Sequence, residues 1–463
     1  MTLLAIGLMI IAALGVWVFR TQRRIALLIL SIIALYALQP SGTPTVLDSA
    51  LPTATLLLIV GVWWLVGSEP TPVDRKLLLL FVGVASLAAL INSLNSGQVL
   101  TVLPPIAVLA IGTVSVGAIV PRTDSAVRRQ MGLIFVVLII LLLVILKLPA
   151  LQTVVSGSLS RSIGQTIIPG WQWLGFSYIA FRLMHVLLDY RNQRLGAVNL
   201  TDFALYTIFF PAIPAGPIDR IEHFTRELDQ PITLDADRII NGLTRIGIGL
   251  FKKFVLADTL AYLALSPQLV EQTRPGSFLI TWIMVYAYAF RLFFDFSGYT
   301  DIAIGIGILA GIKLPENFTS PYTKRNISAF WNSWHITLSL WFRNYFFTPL
   351  SRALMGSSLR SQRLLIILLA QVSTMILIGL WHGIALNFVL WGAWHGLGLW
   401  FHRWLTDHTH AWDERVQAQP RLVSAIHVLS VLATFHFVAV GWIFFALPDL
   451  PLIGKALMGL VGH

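Results

Sequence analysis

Three histidines stand where the sequence is otherwise apolar and aromatic: His335 in FWNSWHITLSLWFRNYFF (330–347), and His382 and His395 in WHGIALNFVLWGAWHG (381–396). A neutral imidazole can take a proton from a hydroxyl as that oxygen attacks an activated carbonyl, and then return it to the leaving group. General-base acyl transfer is therefore the chemistry these residues suggest. The two WHG histidines are thirteen residues apart, which on a continuous helix is a rotation of about 220°. They would point in nearly opposite directions and are not read as a pair. His382 follows the apolar run 364–380 and is bracketed by Gly379 and Gly383, which let backbone or substrate come close. His395 lies in GAWHGLG, a pattern of close helix packing. His382 is thus the catalytic candidate and His395 the packing copy. Asn387 or a backbone N–H could stabilise the oxyanion.

Around His335, residues Trp331, Trp334, His335, Leu338, Trp341, Phe342 and Tyr345 recur at helical spacing. This predicts one face of an amphipathic helix. Asn332, Ser333, Thr337, Arg343 and Asn344 occupy the other side, more polarity than a lipid-bathed span would carry. An interfacial helix, or one lining a polar cavity, fits that pattern. His335 itself reads equally as a functional group or as a histidine held by packing and a backbone hydrogen bond. Asp295 and Asp301 flank the tripeptide SGY. Six residues apart, they do not share a helix face; SGY suggests a break there, with Asp295 or Ser297 as helix caps. In 209–224, Pro211, Pro214, Gly216 and Pro217 forbid a regular span, so this stretch reads as re-entrant or interfacial.

The elements that must position these residues are apolar. The chain has 463 residues, 56% hydrophobic and 11% charged, against about 25% charged in an average soluble protein. Its mean hydropathy is +0.78. Apolar runs that approach or cross a hydrocarbon core of about 30 Å occupy 2–19, 25–38, 53–67, 77–91, 99–120, 131–148, 171–188, 239–265, 277–294, 299–312, 364–380, 384–401 and 422–447. They predict an all-α polytopic membrane protein with about eleven transmembrane helices plus re-entrant and interfacial pieces. No basic segment precedes the first run, so it is expected to remain as a span rather than be cleaved. The net charge of +11 needs no nucleic acid to explain it. Arg20, Arg23 and Arg24, then Arg75 and Lys76, then Arg122, Arg128 and Arg129, then Arg191 and Arg194 fall in alternate loops, which puts the N-terminus outside and those loops in the cytoplasm.

With no cysteine, disulfides, thiolate metal sites and a cysteine nucleophile are excluded. No Walker A loop, GxSxG elbow, HExxH or HxxxxD box is present. No metal ligands are assigned; His408 and His410 sit in a polar loop and read as solvated. By composition the chain divides into scaffold helices at 1–170, a core at 171–447 where ionisable residues enter apolar sequence, and a tail at 448–463. Arg182, His185, Asp295, Asp301, His335, His382, Asn387 and His395 all fall in that core, and an ionisable group at membrane depth is a functional candidate by default.

Taken together, GFSYIAFRLMHVLLDY (175–190), FFPAIPAGPIDR (209–220), GLFKKFVLADTL (249–260), DFSGYTDIAIGIG (295–307), LPENFTSPY (314–322), FWNSWHITLSLWFRNYFF (330–347) and GLWHG (379–383) resemble the membrane-bound O-acyltransferase family, in its polysaccharide-modifying bacterial branch. The resemblance implies tilted helices around a central funnel in which a cytoplasmic acyl donor meets an extracytoplasmic hydroxyl. It maps the catalytic histidine onto His382 and a second motif histidine onto His335. Asn332, Asp295, Asp301, Arg343 and Asn387 are the expected tunnel residues.

The expected function is O-acyl transfer at the bacterial cytoplasmic membrane, moving acetyl from a cytoplasmic thioester to hydroxyls of an exported or cell-surface polysaccharide. No cofactor is expected to be bound; acetyl-CoA or an acyl carrier thioester is the donor substrate. Expected partners are an extracytoplasmic acetyltransferase or polysaccharide-export proteins. Some motifs look more like D-alanyl transfer to teichoic acid, which would need a phosphopantetheine carrier protein at the basic loops. A transporter or structural role is the reading from another class; intramembrane charge and broken helices favour it, and the lack of repeat symmetry opposes it.

Overall fold

The computed structural model describes residues 2–39, 47–67, 70–96, 124–163, 166–196, 198–231, 233, 235–409 and 420–463. Among these residues every named element is a helix. Six stretches are long and apolar enough to cross a membrane: Leu3–Ala37, Leu47–Val66, Ser125–Lys147, Phe278–Leu309, Arg363–His382 and Arg421–Ala446. The runs 2–19 and 25–38 share the first of these, and 277–294 and 299–312 form a single helix. Other expected spans are carried by shorter or more polar helices, and the run 99–120 lies outside the described residues. The chain is a multi-pass membrane protein.

The reason these helices suit lipid is visible in Ser125–Lys147. Gly132, Val136, Ile139 and Leu143 are buried at spacings of four, three and four, one stripe of a helix. Ile134, Val137, Leu138 and Leu141 are exposed on the other sides. A helix that packs one stripe and still shows leucine and isoleucine elsewhere faces hydrocarbon rather than water.

The chain packs as two compact units, 1–246 with 303–314, and 247–302 with 315–463. These units cut across the compositional boundary at residue 170, which marks where polar residues enter the sequence rather than where packing divides.

In the first unit, helices α1 (Leu3–Gly15), α2 (Arg23–Ala37), α3 (Leu47–Val66), α4 (Pro72–Ser96), α5 (Ser125–Lys147) and α6 (Pro149–Ile163) precede α7 (Phe176–Arg191), α8 (Leu200–Ile208) and α9 (Ile221–Asp229). Between α8 and α9 the prolines leave only a 3-10 turn, Phe210–Ala212, in an otherwise irregular and buried segment. Buried irregular backbone needs partners for its carbonyls. Arg182, 1% exposed, supplies them: its guanidinium donates to the carbonyls of Thr207 at 2.9 Å, Ala212 at 3.2 Å and Pro217 at 3.3 Å. Gly175, at φ +70°, caps the start of α7 against this segment; a Cβ there would lie 2.3 Å from the Ile213 carbonyl oxygen.

The second unit begins within α10 (Ala236–Leu250) and continues through a π-helical turn, Phe251–Ala257, and the short helices α11 (Asp258–Ala261) and α12 (Pro267–Gln272). The long helix α13 (Phe278–Leu309) follows. The SGY break expected near residue 297 does not occur: α13 runs unbroken through it, because backbone groups in a membrane span are best satisfied within the helix. Gly298 serves another purpose. A Cβ on it would lie 2.8 Å from the Gly249 carbonyl oxygen and 2.9 Å from the Lys253 nitrogen, so the glycine lets the π-helical turn cross α13 at backbone distance. The unit is completed by α14 (Ile327–Trp331), α15 (Ile336–Phe342), a π turn at Arg343–Phe347, α16 (Thr348–Met355), α17 (Arg363–His382), α18 (Leu386–His408), α19 (Pro420–Ala446) and α20 (Leu450–Gly459).

Candidate active site

His382 is the last residue of α17, and the chain turns at Gly383 to begin α18 at Leu386. Both bracketing glycines are required by that turn. A Cβ on Gly379 would lie 2.2 Å from the Phe388 carbonyl oxygen, and one on Gly383 would lie 2.3 Å from the Phe388 ring. The close approach expected at these glycines is thus made by Phe388 of α18, through its carbonyl at Gly379 and its ring at Gly383. The half-buried imidazole of His382 is set among rings, with centroids 4.5 Å from Trp381, 4.9 Å from Phe445 and 5.8 Å from Trp391.

His335 lies in the same unit and is 2% exposed. The continuous amphipathic helix expected over 330–347 is replaced by two short helices with a break at 332–335, and His335 sits at the break with φ +44°. The cause is a strap from the LPENF stretch. Asn317 accepts the Ile336 N–H on its carbonyl at 3.0 Å, and its Oδ1 accepts from the Thr337 hydroxyl at 2.7 Å. Thr319 donates to the Ser333 carbonyl at 3.1 Å, and Phe318 bridges to Trp334 as an isolated antiparallel pair. Those contacts take up the backbone groups that a helix would have used. The aromatic spacing that suggested one helical face instead fills a ring cluster in which Trp334 touches Phe293, Phe318, Tyr322 and Trp442. The imidazole of His335 meets Phe296 at 4.6 Å and Trp381 at 6.2 Å between centroids. Trp381 is therefore a common neighbour of His335 and His382.

The helical arithmetic that separated His382 from His395 does not apply, because the two residues lie on different helices joined by a tight turn. Trp391 touches both, at 5.8 Å and 5.0 Å. His395 is fully buried among Phe330, Trp331, Trp391, Phe437 and Trp442. Neither of its ring nitrogens has a hydrogen-bond partner among the described residues.

The remaining expected tunnel residues divide by environment. Asn387 is buried; its amide nitrogen donates to the Phe444 carbonyl at 3.2 Å, while its Oδ1 has no partner among the described residues. Asp301 is paired with Lys252 at 2.6 Å, and Asp295 with Lys253, so Asp295 is an ion-pair member rather than a helix cap. Phe296, the neighbour of Asp295 in α13, is the residue that reaches His335. Asn332 and Arg343 are exposed, Asn332 at the end of α14 and Arg343 opening the π turn. His408 is exposed and bonded to the Trp404 carbonyl at 2.7 Å; His410 lies outside the described residues.

Sequence reasoning assigned no role to Asn317, Trp381, Lys252 or Lys253. The lysines carried a readable signal, since two adjacent cations inside the apolar run 239–265 require counter-charges. A single group with metal-ligand spacing occurs among the described residues, His185, Asp189 and Glu222, in the first unit. Chemically, the second unit offers three imidazoles, His382 half-buried and His335 and His395 enclosed, in a ring-lined setting where a general base could work away from bulk water.

A protein named "Probable alginate O-acetylase AlgI" from Pseudomonas aeruginosa is 36% identical over 278 residues, 60% of this chain and 49% of that protein. A peptidoglycan O-acetyltransferase of Helicobacter pylori is 36% identical over 281 residues, 60% of this chain and 50% of the relative. A teichoic acid D-alanyltransferase of Bacillus subtilis is 29% identical over 279 residues, 59% of this chain and 68% of the relative. The aligned stretch spans about half the length of the two O-acetylating relatives. Residues 133–431, more than half of the chain, match the MBOAT, membrane-bound O-acyltransferase family, and the chain belongs to that family.

Proposed function

We propose that this protein transfers an acyl group, acetyl in the first instance, from a cytoplasmic thioester to hydroxyls of an exported or cell-surface polysaccharide, at the bacterial cytoplasmic membrane. The observation that carries the reading is the placement of His382 at the end of an apolar helix, with His335 against the same indole, that of Trp381. The O-acetylating relatives support acetyl as the group.

His382 acts as the general base. It removes the hydroxyl proton as the oxygen attacks the thioester carbonyl; the C–O bond forms, the C–S bond breaks, and the thiolate leaves with the proton from the imidazolium. A base so placed supplies about 10²- to 10⁴-fold of rate. His335, enclosed and fixed by its strap, positions the reacting groups. Acetyl-CoA or an acyl carrier thioester is the donor, and a separate extracytoplasmic transferase or export complex receives or completes the product.

D-alanyl transfer is the second reading, favoured by the D-alanyltransferase relatives. Mild alkaline release of esters from the cell's polymers, followed by mass spectrometry in wild-type and deletion strains, distinguishes the two: loss of acetate supports the first reading and loss of D-alanine the second. A deletion strain that loses neither ester would leave a transporter or structural role.

A further inference from the structure

We infer that the first unit holds a divalent metal ion, of the zinc class, between Nε2 of His185, a carboxylate oxygen of Asp189 and Oε2 of Glu222. The three ligand atoms lie within 4.8 Å of one another. Nε2 of His185 is 3.1 Å from Asp189 Oδ2 and 3.8 Å from Glu222 Oε2. Tetrahedral zinc with bonds of about 2.0–2.2 Å sets neighbouring ligand atoms about 3.3–3.6 Å apart, and the two observed distances straddle that range.

The hydrogen-bond network fixes which nitrogen faces the carboxylates. The single hydroxyl proton of Tyr206 is donated to the Asp219 carbonyl at 3.0 Å. Nδ1 of His185, 3.3 Å from that hydroxyl oxygen, must therefore be the donor in their contact. Nε2 of His185 is thereby the nitrogen that faces Asp189 and Glu222. Orientation of a ligating imidazole through its other nitrogen is the usual support of a histidine metal ligand.

Arg220 contributes one positive charge, 3.0 Å from Asp189 and 3.8 Å from Glu222. The site is deeply placed, with His185 1% and Asp189 0% exposed. Glu222, 43% exposed, places the edge of the site at the surface. His185 and Asp189 belong to α7 and Glu222 to α9, on either side of the proline-broken segment. The ion would clamp that segment from its open side, complementing Arg182 within.

The test uses the full chain purified in detergent, stripped with a chelator, re-equilibrated with zinc and dialysed. One zinc per chain by elemental analysis is expected, with a rise in thermal unfolding temperature on adding zinc. Both effects should be weakened by about tenfold or more in affinity in Glu222→Gln and in His185→Gln. Glu222→Gln alters a partly exposed group and tests the idea even where the buried histidine variant fails to fold. Absence of bound zinc in the wild type, or equal zinc in wild type and Glu222→Gln, would overturn the proposal.

Discussion

Oδ1 of Asn317 accepts from both the backbone N–H and the hydroxyl of Thr337, at 3.3 Å and 2.7 Å, two residues beyond His335. Asn317 is 0% exposed. This one amide holds the strap against the start of α15 and so fixes the left-handed backbone of His335, a conformation that costs a non-glycine residue about 1–3 kcal/mol.

Replacement Asn317→Leu therefore leaves the buried Thr337 groups without their acceptor, at about 1–3 kcal/mol, and frees His335 to relax towards helix. The expected outcome is a lower thermal unfolding temperature in detergent together with weaker ester formation. Unchanged ester formation in a destabilised Asn317→Leu protein would show that the geometry at His335 does not matter for the reaction.

His382→Ala and His335→Ala are expected to differ. Removing the general base should lower ester formation by about 10²- to 10⁴-fold, with membrane expression retained, because His382 is only half-buried. His335→Ala removes a fully enclosed ring from the strap region and should lower both thermal stability and activity. The pair of measurements is ester content and unfolding temperature; full activity in a well-folded His382→Ala protein would sink the catalytic reading.

The two glycines at the α17–α18 turn also separate. At Gly379 the obstacle to a Cβ is the backbone carbonyl of Phe388, and at Gly383 it is the Phe388 ring. A ring can swing aside and a helical carbonyl cannot. Gly379→Ala should thus abolish correct insertion or activity, while Gly383→Ala should retain a measurable fraction of both. Comparing yield of folded protein and ester formation for the two variants checks this order, and equal behaviour would contradict it.

The lysine pairs test how much of the polarity in the second unit is structural. Asp301 is 7% and Lys252 26% exposed, whereas Asp295 is 50% exposed. Lys252→Met strands a buried carboxylate, which costs about 3–5 kcal/mol at full burial, and Lys252→Met combined with Asp301→Leu should recover most of the loss. Lys253→Met should cost no more than about 1 kcal/mol. Thermal unfolding of the three proteins is the measurement, and failure of the double variant to recover would mean that Asp301 is needed for more than charge balance.

What the sequence disclosed follows from the range of the interactions involved. The apolar character of the helices, the glycines around His382 and the irregular proline segment are consequences of local chain chemistry. The division into spans is not, since 2–19 and 25–38 share one stretch, 277–294 and 299–312 form one helix, and 99–120 lies outside the described residues. His335 is different. Its break is imposed by Asn317, eighteen residues upstream, and the aromatic spacing of 330–347 suits a ring cluster as well as it suits a helix face. The SGY break failed for a related reason, since Gly298 answers to Gly249 and Lys253 rather than to its own helix. His382 and His395 were separated by assuming a continuous helix across Gly383, a turn made by packing against Phe388.

That turn brings His395 to the same indole as His382 and gives the last test. His395 has two buried ring nitrogens without partners among the described residues, and a Cβ on Gly441 would lie 2.8 Å from its Nε2. An unsatisfied buried polar group costs about 1–3 kcal/mol, so a purely packing residue at this position should be replaceable by an apolar one of similar volume without loss. His395→Leu is therefore expected to keep ester formation and to hold or raise the unfolding temperature. If it instead keeps its stability and loses about a hundredfold or more of ester formation, the scale of a lost acid or base, the nitrogens of His395 serve the reaction, and the assignment of the base to His382 alone must be given up.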